Sequence, residues 1–125
     1  MNRRKTLQLN IGGVKVGGDA PVVIQSMTNT PTQDGEQTLA QIGRLAAAGC
    51  EIIRCAVPDG EALAGLKVIC EKSPLPVVAD IHFDYRLALG AMEAGVAALR
   101  LNPGNIGGRD RVEQVVAAAK ARDIP

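Results

Sequence analysis

The sequence predicts an α/β fold in which strands and helices alternate along the chain. Four short runs rich in β-branched or small apolar residues recur, and an amphipathic helical pattern follows each of them. Their spacing of roughly 20–30 residues is that of the βαβ unit, and strands that alternate with helices form a parallel sheet. The predicted strands are Val22–Ser26, Ile52–Val57, Pro76–Asp80 and Ala97–Leu101.

A β-hairpin is predicted ahead of this repeat, over Thr6–Val16. Two short apolar stretches flank Gly12 and Gly13, and a pair of glycines supplies the positive φ angles of a tight hairpin turn. We therefore divide the chain into an N-terminal hairpin extension, residues 1–20, and a repeating α/β part, residues 21–125.

Four helices are predicted from apolar residues at three- to four-residue spacing. In the first, Leu39, Ile42 and Leu45 form the apolar stripe, and Asp34 stands at the N-cap position. Glycine or proline follows the first three patterns and indicates where each ends. The predicted helices are Asp34–Ala48, Gly60–Lys72, Asp84–Ala94 and Arg109–Arg122.

Two architectures fit four such units, an open doubly wound sheet or half of an eight-stranded TIM barrel. A complete barrel needs about 250 residues, twice the 125 of this chain. The final residues 122–125 resemble residues 72–76, which lead into the third strand, so the sequence stops where a fifth strand should begin. We expect the N-terminal half of a (βα)₈ barrel, with its first and fourth strands as open edges.

Composition and charge exclude several classes of function. A net charge of +1 gives no electrostatic case for binding nucleic acid or a membrane surface. No apolar run approaches 18 residues, and no apolar segment follows the basic N-terminus, so we expect neither a membrane span nor a secretory signal. Cys50, Cys55 and Cys70 form neither a close pair nor an even set, which predicts a reducing, cytoplasmic compartment and no metal site.

Polar residues close the predicted strands, at the edge where α/β proteins bind ligands. Side-chain alternation directs Arg54 to the inner face, together with Asp80 and His82 of the third strand and Arg100 and Asn102 of the fourth. Two arginines facing one aspartate leave unbalanced positive charge, which predicts an anionic ligand. In the alternative interpretation, Asp80 only neutralises the arginines in a structural network.

A glycine-rich loop follows the fourth strand, over residues 102–108. Asn102, Asn105 and three glycines precede a predicted helix, and such loops direct backbone N–H groups toward phosphate. His82, the single histidine, is placed to donate a hydrogen bond to phosphate or to transfer a proton, although a lone histidine is more often simply packed.

Four motifs resemble the 4-hydroxy-3-methylbut-2-enyl diphosphate synthase family. They occur in order and at matching spacing, and the resemblance extends from about Arg3 to the end of the chain. The motifs are Gln25–Thr30, Gly49–Arg54 with Val57-Pro58 after it, Ala79–Arg86 and Arg100–Gly107.

The resemblance implies a barrel domain followed by a separate domain that holds a [4Fe–4S] cluster. Members reductively convert 2-C-methyl-D-erythritol 2,4-cyclodiphosphate to 4-hydroxy-3-methylbut-2-enyl diphosphate, with electrons from flavodoxin or ferredoxin, and they are homodimers. The cluster cysteines belong to that other domain, so none of the three cysteines here corresponds to them. We expect no catalytic residue in these 125 residues and no synthase activity from them alone.

Carried over residue by residue, the resemblance makes Arg54 and Arg100 ligands of the diphosphate. It places Asp80, His82 and Asn102 in the lining of the substrate site, and we add Asn105 of the glycine-rich loop. Two alternatives stay open, a barrel similar to dihydropteroate synthase, which would need pterin-binding residues, and a non-catalytic half-barrel that pairs with another chain.

Overall fold

Four parallel strands form the sheet of this protein, in the order in which they occur along the chain. The computed structural model describes residues 4–125. An antiparallel hairpin precedes the sheet, and each sheet strand is followed by a helix. The elements are β1 (Leu9–Ile11), β2 (Val14–Val16), β3 (Gln25–Met27), α1 (Gly35–Ala47), β4 (Ile52–Ala56), α2 (Gly60–Lys72), β5 (Val77–Ile81), α3 (Tyr85–Ala94), β6 (Ala98–Leu101) and α4 (Arg109–Ala121).

The sequential strand order decides between the two architectures left open by the sequence. Crossovers between parallel strands are right-handed, so strands added in chain order put every helix on one side of the sheet, as in a barrel. A doubly wound sheet instead reverses its strand order and is covered by helices on both sides. The predicted α/β class and the partial barrel are confirmed.

The helices cover a continuous apolar core on one face of the sheet. Ile53, Cys55 and Ile81 point to this face and are fully buried, with Leu66 and Ile69 of α2 packed among the same cluster. Burial raises the pKa of the Cys55 thiol, which therefore acts as a small apolar side chain. This orientation of Cys55 is the one that strand alternation predicts.

The hairpin covers the lower part of the opposite face, which we call the inner face. Ile52, Val78 and Ala98 of three neighbouring strands form a small buried cluster there. Gly12 and Gly13 both have positive φ, which gives the predicted tight turn. A Cβ on Gly12 would lie 2.8 Å from Cβ of Pro76, so a glycine allows the turn to approach the sheet. Residues packed against this cluster are Ile11, Val14, Val16 and Val23.

Aspartate side chains begin the first three helices. The carboxylate of Asp34 accepts a hydrogen bond from Gln37 N, that of Asp59 from Ala62 N, and that of Asp84 from Arg86 N. Such caps satisfy backbone donors that have no partner within the helix. In contrast, Gly108 precedes α4 and gives it no side-chain cap. All four helices begin and end within about one residue of their predicted bounds.

The first sheet strand differs from the prediction. We expected Val22–Ser26, but β3 spans Gln25–Met27. Pairing with β4 begins at Gln25, because the ladder to Ile52 starts there. Val22 is 73% exposed and Ile24 is 57% exposed, so their β-branched side chains lie outside the core despite their strand propensity.

At the other edge of the sheet, an apolar groove of about 650 Å³ runs along β6. Leu99 N donates a hydrogen bond of 2.9 Å to Pro125 O, so the last residue of the chain lies beside this edge. Residues lining the groove include Leu9, Leu99, Leu101, Val115, Val116 and Ala119.

Among residues 4–125, none of the helices has the length and apolar character needed to cross a bilayer. The division of the chain into a hairpin extension and a repeating α/β part, between residues 20 and 21, stays a prediction.

Candidate functional site

A buried carboxylate occupies the carboxyl end of β5 and faces three cationic or polar groups. Asp80 is 1% exposed. Its Oδ1 lies 3.2 Å from Arg100 Nη1, and its Oδ2 lies 3.1 Å from His82 Nε2 and 3.5 Å from Arg54 Nε. The structure therefore brings together four of the six residues predicted for the site.

The strand register explains why these side chains meet. Asp80 lies directly opposite Arg100 in the ladder between β5 and β6. Arg54 lies opposite Val78, two residues before Asp80 on the same face, and its long side chain reaches forward to the carboxylate. His82 follows Asp80 by two residues, just beyond β5. Parallel pairing thus converts three separated stretches of sequence into one cluster on the inner face, above Ile52, Val78 and Ala98.

The cluster has more positive than negative charge. A buried carboxylate is strongly disfavoured unless it is paired, and here Asp80 is paired on both oxygens. Two guanidinium groups share this single carboxylate, and their side chains are 31% and 44% exposed, for Arg54 and Arg100 respectively. Each guanidinium carries five N–H donors, so most of them are directed away from Asp80.

Arg54 has one donor without a hydrogen bond. Its Nε is buried and has no hydrogen-bond partner within residues 4–125, because the 3.5 Å approach to Asp80 is close enough for an ion pair but is not aligned for a hydrogen bond. Its Nη2 lies 3.5 Å from Met27 Sδ, a weak acceptor. The guanidinium of Arg54 is therefore incompletely satisfied by the protein itself.

The geometry of His82 limits what it can do at this site. Its Nε2 faces Asp80 Oδ2, so the neutral ring carries its proton on Nε2 and presents Nδ1 as an acceptor. The predicted hydrogen bond from His82 to a phosphate is therefore not made through Nε2, which faces Asp80. The ring of His82 also lies beside that of Phe83, with the ring centroids 5.9 Å apart. Phe83 follows the carboxyl end of β5 and is 72% exposed.

Asn102 and Asn105, the other two predicted residues, lie in the loop after β6. Asn102 Oδ1 accepts from Gly104 N at 3.2 Å, and its backbone carbonyl accepts from Asn105 N at 3.0 Å. These bonds lie within the loop and not in the Asp80 cluster. The buried side chain of Ile106 anchors the loop to the core, and Gly107 has a φ of +120°, which a residue with a side chain rarely adopts.

The polar loop after β3 forms side-chain hydrogen bonds to α1 and to β4. Gln41 Nε2 donates to Asn29 Oδ1 at 2.8 Å, and Gln41 Oε1 accepts from Asn29 N at 3.0 Å. Thr30 and Thr38 share a hydroxyl hydrogen bond of 2.8 Å. Thr32 Oγ1 donates to Ala56 O at 2.6 Å. The sequence contains no signal for these pairings, because they join the loop to separate elements of the fold.

Sequence reasoning also missed a contact between α3 and α4. The guanidinium of Arg111 lies 5.1 Å from the ring centroid of Tyr85, at the start of each helix. The Cδ of Arg111 also occupies the space that a side chain on Gly107 would fill. This contact links the loop after β5 to the glycine-rich loop. No spacing rule connects these three positions, because the link exists only after the strands are paired.

The cysteines do not fit an iron–sulfur cluster, which is held by four thiolates or a close equivalent. Cys50 and Cys55 are buried, and Cys70 is partly buried. Burial, with smaller contributions from Cys55 and Glu71, raises the pKa of the Cys70 thiol to about 12, so the thiolate is disfavoured. Within the part of the chain that the structure describes, no three metal-binding side chains converge.

Comparisons with known proteins agree with the motifs. The model of the GcpE TIM-barrel domain family matches residues 6–125. The chain is 62% identical over 125 residues to the 4-hydroxy-3-methylbut-2-en-1-yl diphosphate synthase (flavodoxin) of Maridesulfovibrio salexigens, and it covers 35% of that protein. It is 60% identical over 123 residues to the synthase of the same name from Geobacter sulfurreducens, again covering 35%. The chain thus spans about a third of the length of the curated relatives it matches.

Among solved structures, the dihydropteroate synthase of Xanthomonas albilineans in complex with 7,8-dihydropteroate is similar in fold. The TM-score is 0.65 with 20% identity, over 94% of this chain and 47% of that one. At this identity the likeness concerns the fold alone. It shows that the four strand–helix units superpose on about half of a TIM-barrel enzyme.

Proposed function

Because the chain belongs to the GcpE TIM-barrel domain family, we propose that it supplies part of the diphosphate-binding site of a 4-hydroxy-3-methylbut-2-enyl diphosphate synthase. One observation carries this proposal. Arg54 and Arg100 converge on the single carboxylate of Asp80 and keep exposed, unmatched positive charge at the carboxyl ends of the strands.

A diphosphate fits this arrangement chemically. Guanidinium groups bind phosphate oxygens through parallel, charge-assisted hydrogen bonds, which are shorter and stronger than neutral ones. The two groups belong to strands on either side of β5, so they are separated by one strand and can hold two phosphoryl groups or two sides of one. Arg54 Nη2, whose neighbour at 3.5 Å is only the weak acceptor Met27 Sδ, further favours an acceptor at this place.

The remaining predicted residues have supporting roles in this proposal. Asp80 and His82 belong to the same cluster, in which His82 Nε2 faces Asp80 Oδ2. Asn102 and Asn105 shape the loop beyond β6, since Asn102 Oδ1 accepts from Gly104 N and Asn102 O accepts from Asn105 N.

The parent protein, in the same proposal, reduces 2-C-methyl-D-erythritol 2,4-cyclodiphosphate to 4-hydroxy-3-methylbut-2-enyl diphosphate in the cytoplasm. The name of the relatives, which includes flavodoxin, supports flavodoxin as the electron donor, and ferredoxin is the family's other donor. The parent acts as a homodimer with a [4Fe–4S] cluster, whose ligands lie outside these 125 residues. The present chain binds diphosphate without turning the substrate over.

Calorimetric titration of inorganic pyrophosphate into the folded chain at low salt tests the proposal. Arg54→Ala and Arg100→Ala should each weaken binding about 10- to 100-fold, the effect of losing a hydrogen bond between charged groups. Arg109→Ala is the matched control, because Arg109 is 93% exposed and pairs with Glu113 on the surface of α4. Equal losses in all three variants would indicate nonspecific attraction and would contradict the proposal.

A further inference from the structure

We propose that Asp80 is a positioning residue, which strengthens the binding of an anion that it does not itself contact. Its carboxylate holds Arg54, His82 and Arg100 in the arrangement that receives the diphosphate. This inference rests on the proposed function and deepens it, since Asp80 would otherwise count as one more residue that lines the substrate site.

The surroundings of the carboxylate support a role through its neighbours. Asp80 is 1% exposed, so a ligand bound at the carboxyl ends of the strands does not contact its oxygens. Oδ1 faces Arg100 Nη1, whereas Oδ2 faces both His82 Nε2 and Arg54 Nε. The protein's own groups therefore occupy both oxygens, and the donors of these groups that point away from Asp80 are the ones available to a ligand.

Holding two arginines in place has a physical cost that Asp80 offsets. A free arginine side chain has about 2 kcal/mol of rotamer entropy, which binding would otherwise have to remove. The two guanidinium groups approach the same carboxylate and also repel each other, and the carboxylate between them offsets that repulsion. A site assembled before the ligand arrives binds more tightly than one that is ordered by the ligand.

The direction in which one substitution changes the affinity for pyrophosphate distinguishes positioning from simple electrostatics. Asp80 carries a negative charge next to an anion site, so charge alone predicts that neutralising it tightens pyrophosphate binding. Positioning predicts the opposite, because an amide in place of the carboxylate has only one acceptor oxygen and cannot hold three donors. Asp80→Asn keeps the size of the side chain but removes both its charge and one acceptor oxygen, so the two accounts predict opposite changes in affinity.

The experiment titrates inorganic pyrophosphate into the wild-type chain and into Asp80→Asn. We expect roughly 10-fold weaker binding, the loss of about one charge-assisted hydrogen bond to the ligand. The matched control is Asp110→Asn, an exposed carboxylate in the first turn of α4, next to the glycine-rich loop. This control removes the same charge without touching the cluster and should leave binding equal or tighter. Tighter binding in Asp80→Asn would overturn the inference.

A second measurement needs no ligand and distinguishes failure of the inference from failure of the proposed function. ¹⁵N relaxation of the arginine Nε groups should show Arg54 and Arg100 ordered in the free wild-type chain, with order lost in Asp80→Asn while the amide spectrum stays folded. Mobile guanidinium groups in the free wild type would overturn the inference, even if Asp80→Asn fails to fold. Ordered guanidinium groups without pyrophosphate binding would support positioning and contradict the diphosphate site.

Discussion

Both faces of the sheet contain buried side chains, yet they differ in chemistry along the length of each strand. Toward the helices, Ile53, Cys55 and Ile81 continue one apolar core from end to end. On the inner face, the apolar layer that includes Ile52 stops halfway, and the charged cluster around Asp80 follows. Burial by itself therefore does not separate structure from function in this protein.

The difference follows from the elements of structure that pack against each face. The helices pack mostly apolar side chains against the sheet, so a carboxylate on that face would be buried without donors at a large cost in free energy. The inner face is covered by the hairpin at its lower end, and at its upper end arginines from neighbouring strands reach the same point. A buried aspartate is tolerated there because the register between the strands places Arg100 directly opposite Asp80.

The largest expected effect compares consecutive residues on the two faces. Ile53→Ala should lower the free energy of unfolding by about 2–5 kcal/mol, because Ile53 is fully buried in the main core and its loss leaves a cavity. Ile52→Ala removes the same atoms from the small cluster, where the hairpin can move inward, so it should cost less. Urea denaturation measures both.

Each isoleucine variant is the control for the other, since size, strand and sequence position are matched. A loss for Ile52→Ala equal to or greater than that for Ile53→Ala would mean that the hairpin is as rigid a cover as the helices. The comparison between the two faces would then have no energetic basis.

A smaller effect on the free energy of unfolding is expected for Asp59, a second carboxylate at the carboxyl ends of the strands. Asp59 accepts from Ala62 N at 3.0 Å and begins α2, so Asp59→Ala should lower the free energy of unfolding by about 1 kcal/mol. It should not weaken pyrophosphate binding, because Asp59 contacts a backbone amide and no arginine of the cluster. A loss of affinity as large as that of Asp80→Asn would show that carboxylates at this end act on the site in general.

The smallest effect concerns the pH dependence of Asp84, at the start of α3. The side-chain hydrogen bond from Arg86 is the main cause that lowers the pKa of Asp84, and the backbone N–H of Arg86 and the charge of Arg111 add to it. Because the folded-state pKa is the lower one, the stabilisation is present above the unfolded pKa and is lost as the pH falls through the folded value.

Carboxyl titration by NMR tests this assignment with Arg86→Ala. The pKa of Asp84 should rise toward its ordinary value while staying below it, since the backbone hydrogen bond remains. Arg109→Ala, which removes an exposed arginine that pairs with Glu113 instead, should leave Asp84 unchanged. An unchanged pKa in Arg86→Ala would refute the role given to the ion pair.

Local signals explain which parts of the fold were predictable. The helix bounds follow from apolar spacing and from capping by Asp34 and Asp84, both of which act within one turn. The first strand was misplaced because Val22 and Ile24 have high strand propensity, and propensity contains no information about whether a neighbouring strand is present. Pairing with β4 decided that boundary.

The candidate site likewise has features that the sequence predicts and features that it does not. Alternation along single strands was enough to direct Arg54, Asp80 and Arg100 to one face. It was not enough to show that Asp80 is buried with both oxygens engaged, or that Asn102 bonds within its own loop. Those facts depend on distances between strands, which no single strand specifies.

By itself, therefore, the sequence determined the alternation of strands and helices, the helix caps, the hairpin and the residue types at the carboxyl ends, because each depends on neighbours within a few positions along the chain. Only the tertiary structure decided the strand order, the cover of the inner face by the hairpin and the sharing of one carboxylate by two arginines. The physical reason is that these features depend on the register between strands, which brings side chains together that are 20 or more residues apart in the sequence.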